Sequence, residues 1–329
     1  MSETASQFDT LAIIGVGLIG SSLAAAAKAN SLASRIVLFD SNPSVRARIV
    51  ELGLGEVAET AEAAVAGADL IILCTPPATM GAIGAQIGAH VKAGAIVTDV
   101  GSVKEAIVQQ LQPVLPETCF LIPGHPIAGV EKSGPDAGFA TLFEGRWAIL
   151  TPLGDPRPAY QEAVARLTDF WEAMGAKVDC MDPVRHDQVL AMTSHLPHLI
   201  AFCVVATAQD VEAVTDSEVV KYSAGGFRDF TRIAASDPTM WRDVFLLNKD
   251  AVLDLLGRFS EDLTALRRAI RWGDGNTLFA TFERARAMRR EVIEAGQDTA
   301  ITNFGRDLTT STTFKVDGKV DGKVDRKSD

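Results

Sequence analysis

Over the first 180 residues, short runs of aliphatic and β-branched residues alternate with Ala-rich stretches of mixed polarity, the pattern of a parallel sheet covered on both faces. The apolar runs predict strands at Thr10–Ile14, Arg35–Phe39, Leu70–Cys74, Ile96–Asp99, Phe120–Ile122, Ala148–Leu150 and Lys177–Cys180. Between them the spacing predicts helices at Ser21–Asn30, Ser44–Leu52, Ala78–His90 and Val103–Gln112, and an amphipathic helix over Pro158–Met174 closed by Gly175. The expectation is one doubly wound sheet whose last strand is reached by that long crossover helix. From Pro183 the strand signal disappears, and Val184–Thr207, Asp216–Ser223, Thr239–Arg271 and Gly275–Glu294 all read as helical. Two domains are therefore expected: an α/β unit over residues 1–182 and an all-helical unit over 183–310. Residues 311–329 carry a Lys-Val-Asp-Gly repeat from Lys315 to Asp325 and are expected to be a disordered tail.

Composition narrows the classes of function. A chain of 329 residues, 47% hydrophobic, is long enough to bury two cores. The net charge of −11, with basic residues interspersed among acidic ones, offers no electrostatic footprint to nucleic acid and no basic helix to an anionic membrane. The most apolar early stretch, Leu11–Ala27, lacks a basic leader and is broken by glycines, so it reads as neither signal peptide nor membrane span. Cys74, Cys119, Cys180 and Cys203 form no C-x-x-C pair and lie beside apolar residues, which predicts reduced, buried cysteines in a cytoplasmic protein. Wide apolar faces on the helical segments predict a homodimer.

Gly15, Gly17 and Gly20 form G-x-G-x-x-G directly after the first strand and at the mouth of an Ala-rich helix, and Asp40 closes the second strand twenty residues later. The first glycine permits a tight turn, the second lets backbone approach a pyrophosphate, and the third lets helix pack on strand. The helix N-terminus adds unpaired N–H donors and partial positive charge for phosphates. This is a Rossmann-type dinucleotide site. Asp40 would bond the ribose hydroxyls and repel a 2′-phosphate, which favours NAD over NADP, although Arg46 and Arg48 are close in sequence. Leu18 and Ile19 within the fingerprint, and Thr75 after the third strand, complete the expected cofactor set together with Ser102.

Three further clusters carry chemistry. Thr98–Lys104 and Gly124–Glu131 should emerge at the sheet's C-terminal edge, where open parallel sheets bind ligands, so Ser102 and His125 are candidates to meet near a nicotinamide. Three of the five histidines, His186, His195 and His198, fall between residues 186 and 198. A metal site is the rival reading of that group, but Pro197 lies between two of the histidines and no Cys or Glu ligand is near, so no metal is expected. Residues satisfied within the core are the bland alternative. In Gly225–Arg232 the adjacent glycines suggest a bend near a ligand, while Asp229 and Arg232, at i, i+3, read equally well as a surface ion pair.

Together Gly15–Gly20, Asp99–Lys104, His125–Gly129, Ser194–His198 and Gly225–Arg232 resemble the prephenate/arogenate (cyclohexadienyl) dehydrogenase family, over about Thr10 to Ala295. The resemblance implies a helical dimerisation domain and NAD-dependent oxidative decarboxylation of prephenate to 4-hydroxyphenylpyruvate, of arogenate to tyrosine, or both, in tyrosine biosynthesis. It implies that His125 takes the proton of the substrate's ring hydroxyl and that Ser102 orients that hydroxyl and touches the nicotinamide. Arg232 would bind a substrate carboxylate within an ionic network with Asp229 and Glu131. His198 matches a substrate-site histidine, His186 and His195 match supporting positions, and Trp241 matches an aromatic lent to the neighbouring active site of a dimer. Glu144, beside Arg146, lies where substrate sorting is expected.

Two other classes share part of this pattern. A β-hydroxyacid dehydrogenase or pyrroline carboxylate reductase would have the fingerprint and the helical dimer, but not the His125 or Ser194–His198 motifs. The former would also need a lysine in the first interdomain helix, which this sequence lacks there. A non-catalytic NAD-binding sensor would have no use for the histidines and Arg232.

Overall fold

The computed structural model describes residues 7–129, 132–215 and 222–294. Its larger sheet has six parallel strands in the order β3-β2-β1-β4-β5-β6, with β1 Phe8–Ile14, β2 Ala33–Phe39, β3 Glu56–Val57, β4 Leu70–Leu73, β5 Ile96–Asp99 and β6 Phe120–Leu121. Both faces of the central strands are buried. Leu11 and Ile13 of β1, with Leu70 and Ile72 of β4, enter one core cluster, while Ala12, Ile14, Ile71 and Leu73 enter the other. That two-sided burial is why these strands read as continuous apolar runs.

The helices that cover this sheet are α1 (Leu18–Ala29), α2 (Pro43–Leu52), α3 (Ala61–Val65), α4 (Met80–Ile87) and α5 (Glu105–Leu111). The strand β3 and the helix α3 were not expected, both being too short to show a period. A later helix, α6 (Pro158–Ala173), buries Tyr160, Leu167, Phe170 and Trp171 in the first cluster, where Phe170 meets Phe8 edge-to-face at 5.9 Å.

The single sheet expected from the sequence is in fact two. After β6 the chain enters β7 (Gly124–Pro126), which pairs antiparallel with β8 (Trp147–Leu150), and β9 (Lys177–Cys180) then pairs parallel with β8. Two residues separate β6 from β7, far fewer than the dozen or more that a parallel crossover needs, so β7 cannot extend the first sheet and founds a second. Its sequence, Gly-His-Pro, has no apolar run, which is why it reads as loop. The consequence is functional: His125 sits on a strand that starts at the C-terminal edge of the cofactor-type sheet.

Beyond β9 every described element is helical: α7 (Pro183–Leu190), α8 (Leu196–Thr215), α9 (Gly225–Thr231), α10 (Pro238–Leu247), α11 (Lys249–Trp272) and α12 (Gly275–Glu294). Asp182 caps α7 by accepting the Arg185 N–H, with Pro183 in the first turn, and Asp237 and Pro238 do the same for α10. The predicted helix over Thr239–Arg271 is interrupted at Asn248, whose departure from helical geometry separates α10 from α11. The predicted helix at Asp216–Ser223 falls largely outside the described residues, as does the Lys-Val-Asp-Gly repeat. The expectation of four buried cysteines needs correction: Cys119 is buried and Cys74 partly so, but Cys180 on the end strand β9 and Cys203 on α8 are exposed, all four as free thiols.

Candidate active site

The glycine turn has the geometry expected of a dinucleotide site. Gly15 has φ +91°, and a Cβ there would lie 2.8 Å from the Cys74 carbonyl oxygen. A Cβ on Gly20 would stand 2.1 Å from the Gly15 carbonyl oxygen, so helix and turn touch at that point, whereas a Cβ on Gly17 would meet nothing within 4 Å. The open position is the one a pyrophosphate needs, and Thr75, partly buried beside this turn, has a hydroxyl with no hydrogen-bond partner among the described residues. At the end of β2, Asp40 accepts the Val16 N–H at 2.9 Å and the Asn42 N–H at 2.9 Å, one on each carboxylate oxygen, leaving a lone pair on each for ribose hydroxyls. Arg48 is engaged by Glu51 and Asp136, and Arg46 donates to the backbone carbonyls of Asp40 and Ser41. These residues fit NAD. Gly20→Ala is expected to cost about 1–3 kcal/mol by overpacking and to weaken NAD binding, measurable as a lower melting temperature and a smaller NAD-induced shift.

The histidine cluster is built by a distortion that its own sequence dictates. Pro197 has no N–H to donate and its ring would collide with the carbonyl four residues back, so the helix widens into a π-turn over Ala191–His195, with the Leu196 N–H reaching the Ala191 carbonyl. This turn joins α7 to α8 and carries His195 into the interior, while His198 remains half-buried one turn on. His125 meets His186 with Nδ1 and Nε2 2.8 Å apart, and His186 Nδ1 is 2.7 Å from an Asp187 carboxylate oxygen. Asn248 lies 3.1 Å from His195 Nδ1. His198 donates Nδ1–H to the Ser194 carbonyl at 2.8 Å and stacks on Trp241, 3.8 Å between ring centroids.

Burial sets the charge of this cluster. Loss of solvent, with His186, Lys104 and His195 nearby, holds the His125 imidazole well below its ordinary range, and burial lowers His186 and His198 as well. His195 is lowered to about 4, again chiefly by burial. A histidine whose folded value lies below its unfolded value of about 6.5 takes up a proton on unfolding, so its stabilisation is complete above that pH and is lost as the pH falls toward 4. Melting temperature is therefore expected to fall steeply between pH 6.5 and 4, with His195 accounting for an effect on the order of 3 kcal/mol. His195→Gln should flatten that slope in a melting-temperature series.

The Ser102 loop is fastened to the same cluster. Lys104 and Asp99 form a completely buried ion pair, and Lys104 Nζ also donates to the Gly124 carbonyl at 2.6 Å, next to His125. Burial pulls Lys104 down and Asp99 up, and their mutual attraction opposes both shifts. The backbone of Ser102 faces His195, which in turn lies near enough to His125 to influence its protonation. Arg232, at the end of α9, is exposed and close enough to His198 to act on its protonation; Asp229 is exposed on α9. Glu131 lies outside the described residues. Within this chain Trp241 is buried against its own His198, His195 and Phe245, where α10 folds back onto the π-turn. Glu144 is exposed and packs against the Gly175 turn between α6 and β9. Among the described residues no three His, Cys, Asp or Glu side chains gather as a metal-ligand set.

Sequence reasoning left Asp187, Lys104 and Asn248 without a role. An Asp directly after His186 on a capped helix was the available signal for the first. Asn248, separated by 53 residues from His195, gave none.

Comparisons with known proteins point one way. Residues 23–180 match the model for the prephenate dehydrogenase nucleotide-binding domain, and residues 182–284 match that for the prephenate dehydrogenase dimerization domain. The chain is 42% identical over 283 residues to a cyclohexadienyl dehydrogenase of Zymomonas mobilis, covering 86% of this chain and 95% of that protein. It is 34% identical to a prephenate dehydrogenase of Bacillus subtilis, over 85% of this chain and 75% of the relative. Among solved structures, a prephenate dehydrogenase of Aquifex aeolicus, in complex with hydroxyphenyl propionate and NAD+, superposes with a TM-score of 0.79 at 34% identity, covering 86% of this chain and 98% of that one. A Synechocystis arogenate dehydrogenase gives a TM-score of 0.72 at 26% identity, over 86% and 99% of the respective chains.

Proposed function

The chain belongs to the prephenate dehydrogenase family, and from that premise we propose that it oxidatively decarboxylates prephenate and accepts arogenate as a second substrate. It is an NAD-dependent oxidoreductase. The observation that carries the assignment of roles is His125: buried, held neutral, and fixed on β7 at the C-terminal edge of the cofactor sheet. Bound NAD supplies the hydride acceptor, and the Gly15–Gly20 backbone, including Leu18 and Ile19, would hold it together with Asp40, Thr75 and Ser102.

The substrate is a cyclohexadiene with a hydroxyl and a hydrogen on C4 and a carboxylate on C1. As the C4 hydrogen departs as hydride, positive charge develops at C4, and transfer of the hydroxyl proton to His125 relieves it. The bond from C1 to the carboxylate then breaks, its electron pair passes through the ring to the C4 oxygen, and carbon dioxide leaves as the ring becomes aromatic and that oxygen takes the proton back from His125. Ser102 orients the hydroxyl. Arg232 grips a carboxylate with two parallel hydrogen bonds, supplying a local cation that a chain of net charge −11 does not offer in general. Asp229 on the same short helix is assigned to its ionic network, and His195, His198 and Trp241 to the wall of the substrate side.

Residues 1–182 form the cofactor domain and residues 183–310 the substrate and dimerisation domain. Homodimer formation is supported by the match to the dimerization domain and by large apolar side chains exposed in the single chain, among them Ile270, Phe279 and Phe282. Pro183–Glu212 is long and apolar enough to cross a membrane, but it carries the site histidines, and a second copy would cover its remaining apolar face. The protein then works in the cytoplasm. The test is NADH formation at 340 nm with prephenate and with arogenate, prephenate giving the larger kcat/KM; turnover of arogenate alone would overturn the substrate assignment.

A further inference from the structure

The contacts around Asp187 determine which nitrogen of each histidine bears a proton. Both carboxylate oxygens of Asp187 accept backbone N–H donors at the start of α5, from Lys104 at 2.7 Å and from Glu105 at 2.9 Å. A backbone N–H can only donate, so these oxygens are acceptors, and His186 Nδ1, 2.7 Å from the first of them, must bring the hydrogen. A neutral imidazole carries one N–H. His186 Nε2 is therefore bare, and His125 Nδ1, 2.8 Å away, must donate to it. The single hydrogen of neutral His125 is then on Nδ1, and its Nε2 is left with a lone pair.

A second branch leaves the same residue. The Asp187 carbonyl accepts one hydrogen of the Asn248 amide at 2.9 Å, and the other points to His195 Nδ1 at 3.1 Å. His195 therefore carries its hydrogen on Nε2, the opposite tautomer from His125. One buried aspartate thus fastens the loop that bears Ser102, through Lys104 N–H, to two histidines that arrive from different elements.

We propose that Asp187 and His186 are positioning residues that fix His125 as the Nδ1–H tautomer, leaving Nε2 as the base that receives the substrate's hydroxyl proton. This rests on the reading of His125 given above and extends it to two residues that touch neither substrate nor cofactor. An asparagine at position 187 could offer His186 Nδ1 a donor in place of an acceptor. The chain of hydrogen bonds would then reverse and His125 Nε2 would carry the hydrogen, blocking the base. In the Ser-His-Asp triad the equivalent Asp→Asn change leaves geometry intact and lowers kcat about 10⁴-fold through the wrong tautomer.

The test combines 15N NMR of the histidine rings with kinetics of the full-length protein. In the wild type, without substrate, His125 should show a protonated Nδ1 and an unprotonated Nε2. Asp187→Asn should move the proton to Nε2 and lower kcat by roughly 10²- to 10⁴-fold with NAD affinity unchanged. Because that variant also removes acceptors from the start of α5, His186 gives a second pair. His186→Gln keeps an acceptor near the position of Nε2 and should stay within about tenfold of the wild-type kcat, whereas His186→Leu should lose at least about 10²-fold at an unchanged NAD affinity. An Nε2–H His125 in the wild type, turnover of His186→Leu within about threefold of wild type, or equal losses in the Gln and Leu variants would overturn the proposal. Failure of the functional reading itself looks different: the wild type would turn over neither substrate while the His125 tautomer stayed as stated.

Discussion

His125→Asn is expected to lower kcat with prephenate on the order of 10³-fold while leaving the NAD-induced rise in melting temperature intact. Asparagine can fill part of the space against His186, but its side chain has no basic nitrogen. Hydride departure would then leave positive charge on C4 with only solvent to take the proton, and the site is closed to solvent on this side, His125 being 8% exposed. The fold should survive, because β7 is held by its pairing with β8 and by the Lys104 contact to the Gly124 carbonyl, not by the imidazole. A loss carried by a higher KM or a weaker NAD affinity, with kcat little changed, would place His125 outside proton transfer.

Arg232→Lys is expected to lower kcat/KM for prephenate by about 10²-fold, mostly through KM. Lysine keeps the charge but loses the planar fork that bonds a carboxylate twice, and a hydrogen bond to a charged group contributes about 1.5–3 kcal/mol. Arg232 lies at the end of a short helix on the exposed side of the cluster, so the substitution removes no core packing. Melting temperature in the absence of ligand should move little. An unchanged KM would assign the substrate carboxylate to another cation.

The two effects divide along a line visible in the sequence. The cofactor half was legible because its signals are local: a strand, three glycines, a helix and Asp40 all fall within Thr10–Asp40, with Gly15 and Gly20 standing where the backbone demands a glycine and Gly17 where the surface is open. The histidines at 186, 195 and 198 were legible as a group because they fall within one short span, although the π-turn over Ala191–His195 that Pro197 produces was not. What escaped was relational. Nothing in Gly-His-Pro marks a strand, since β7 is defined by its partner β8 twenty-odd residues away. Asp187 reads as an ordinary helical aspartate until the fold brings Lys104, Glu105 and His186 to its oxygens. Asn248 breaks a long amphipathic pattern without Gly or Pro, because its backbone departs from helical geometry while its amide bridges α7 and the π-turn.

The central claim is that hydride removal and loss of the ring carboxylate belong to one reaction at the His125 site. Its most direct test is the stoichiometry of NADH and carbon dioxide released from prephenate by the purified wild-type protein, followed together in one sealed assay. One NADH per carbon dioxide, with 4-hydroxyphenylpyruvate as the organic product and both signals lost in His125→Asn, is the predicted result. NADH without carbon dioxide, or both signals persisting in the variant, would contradict it.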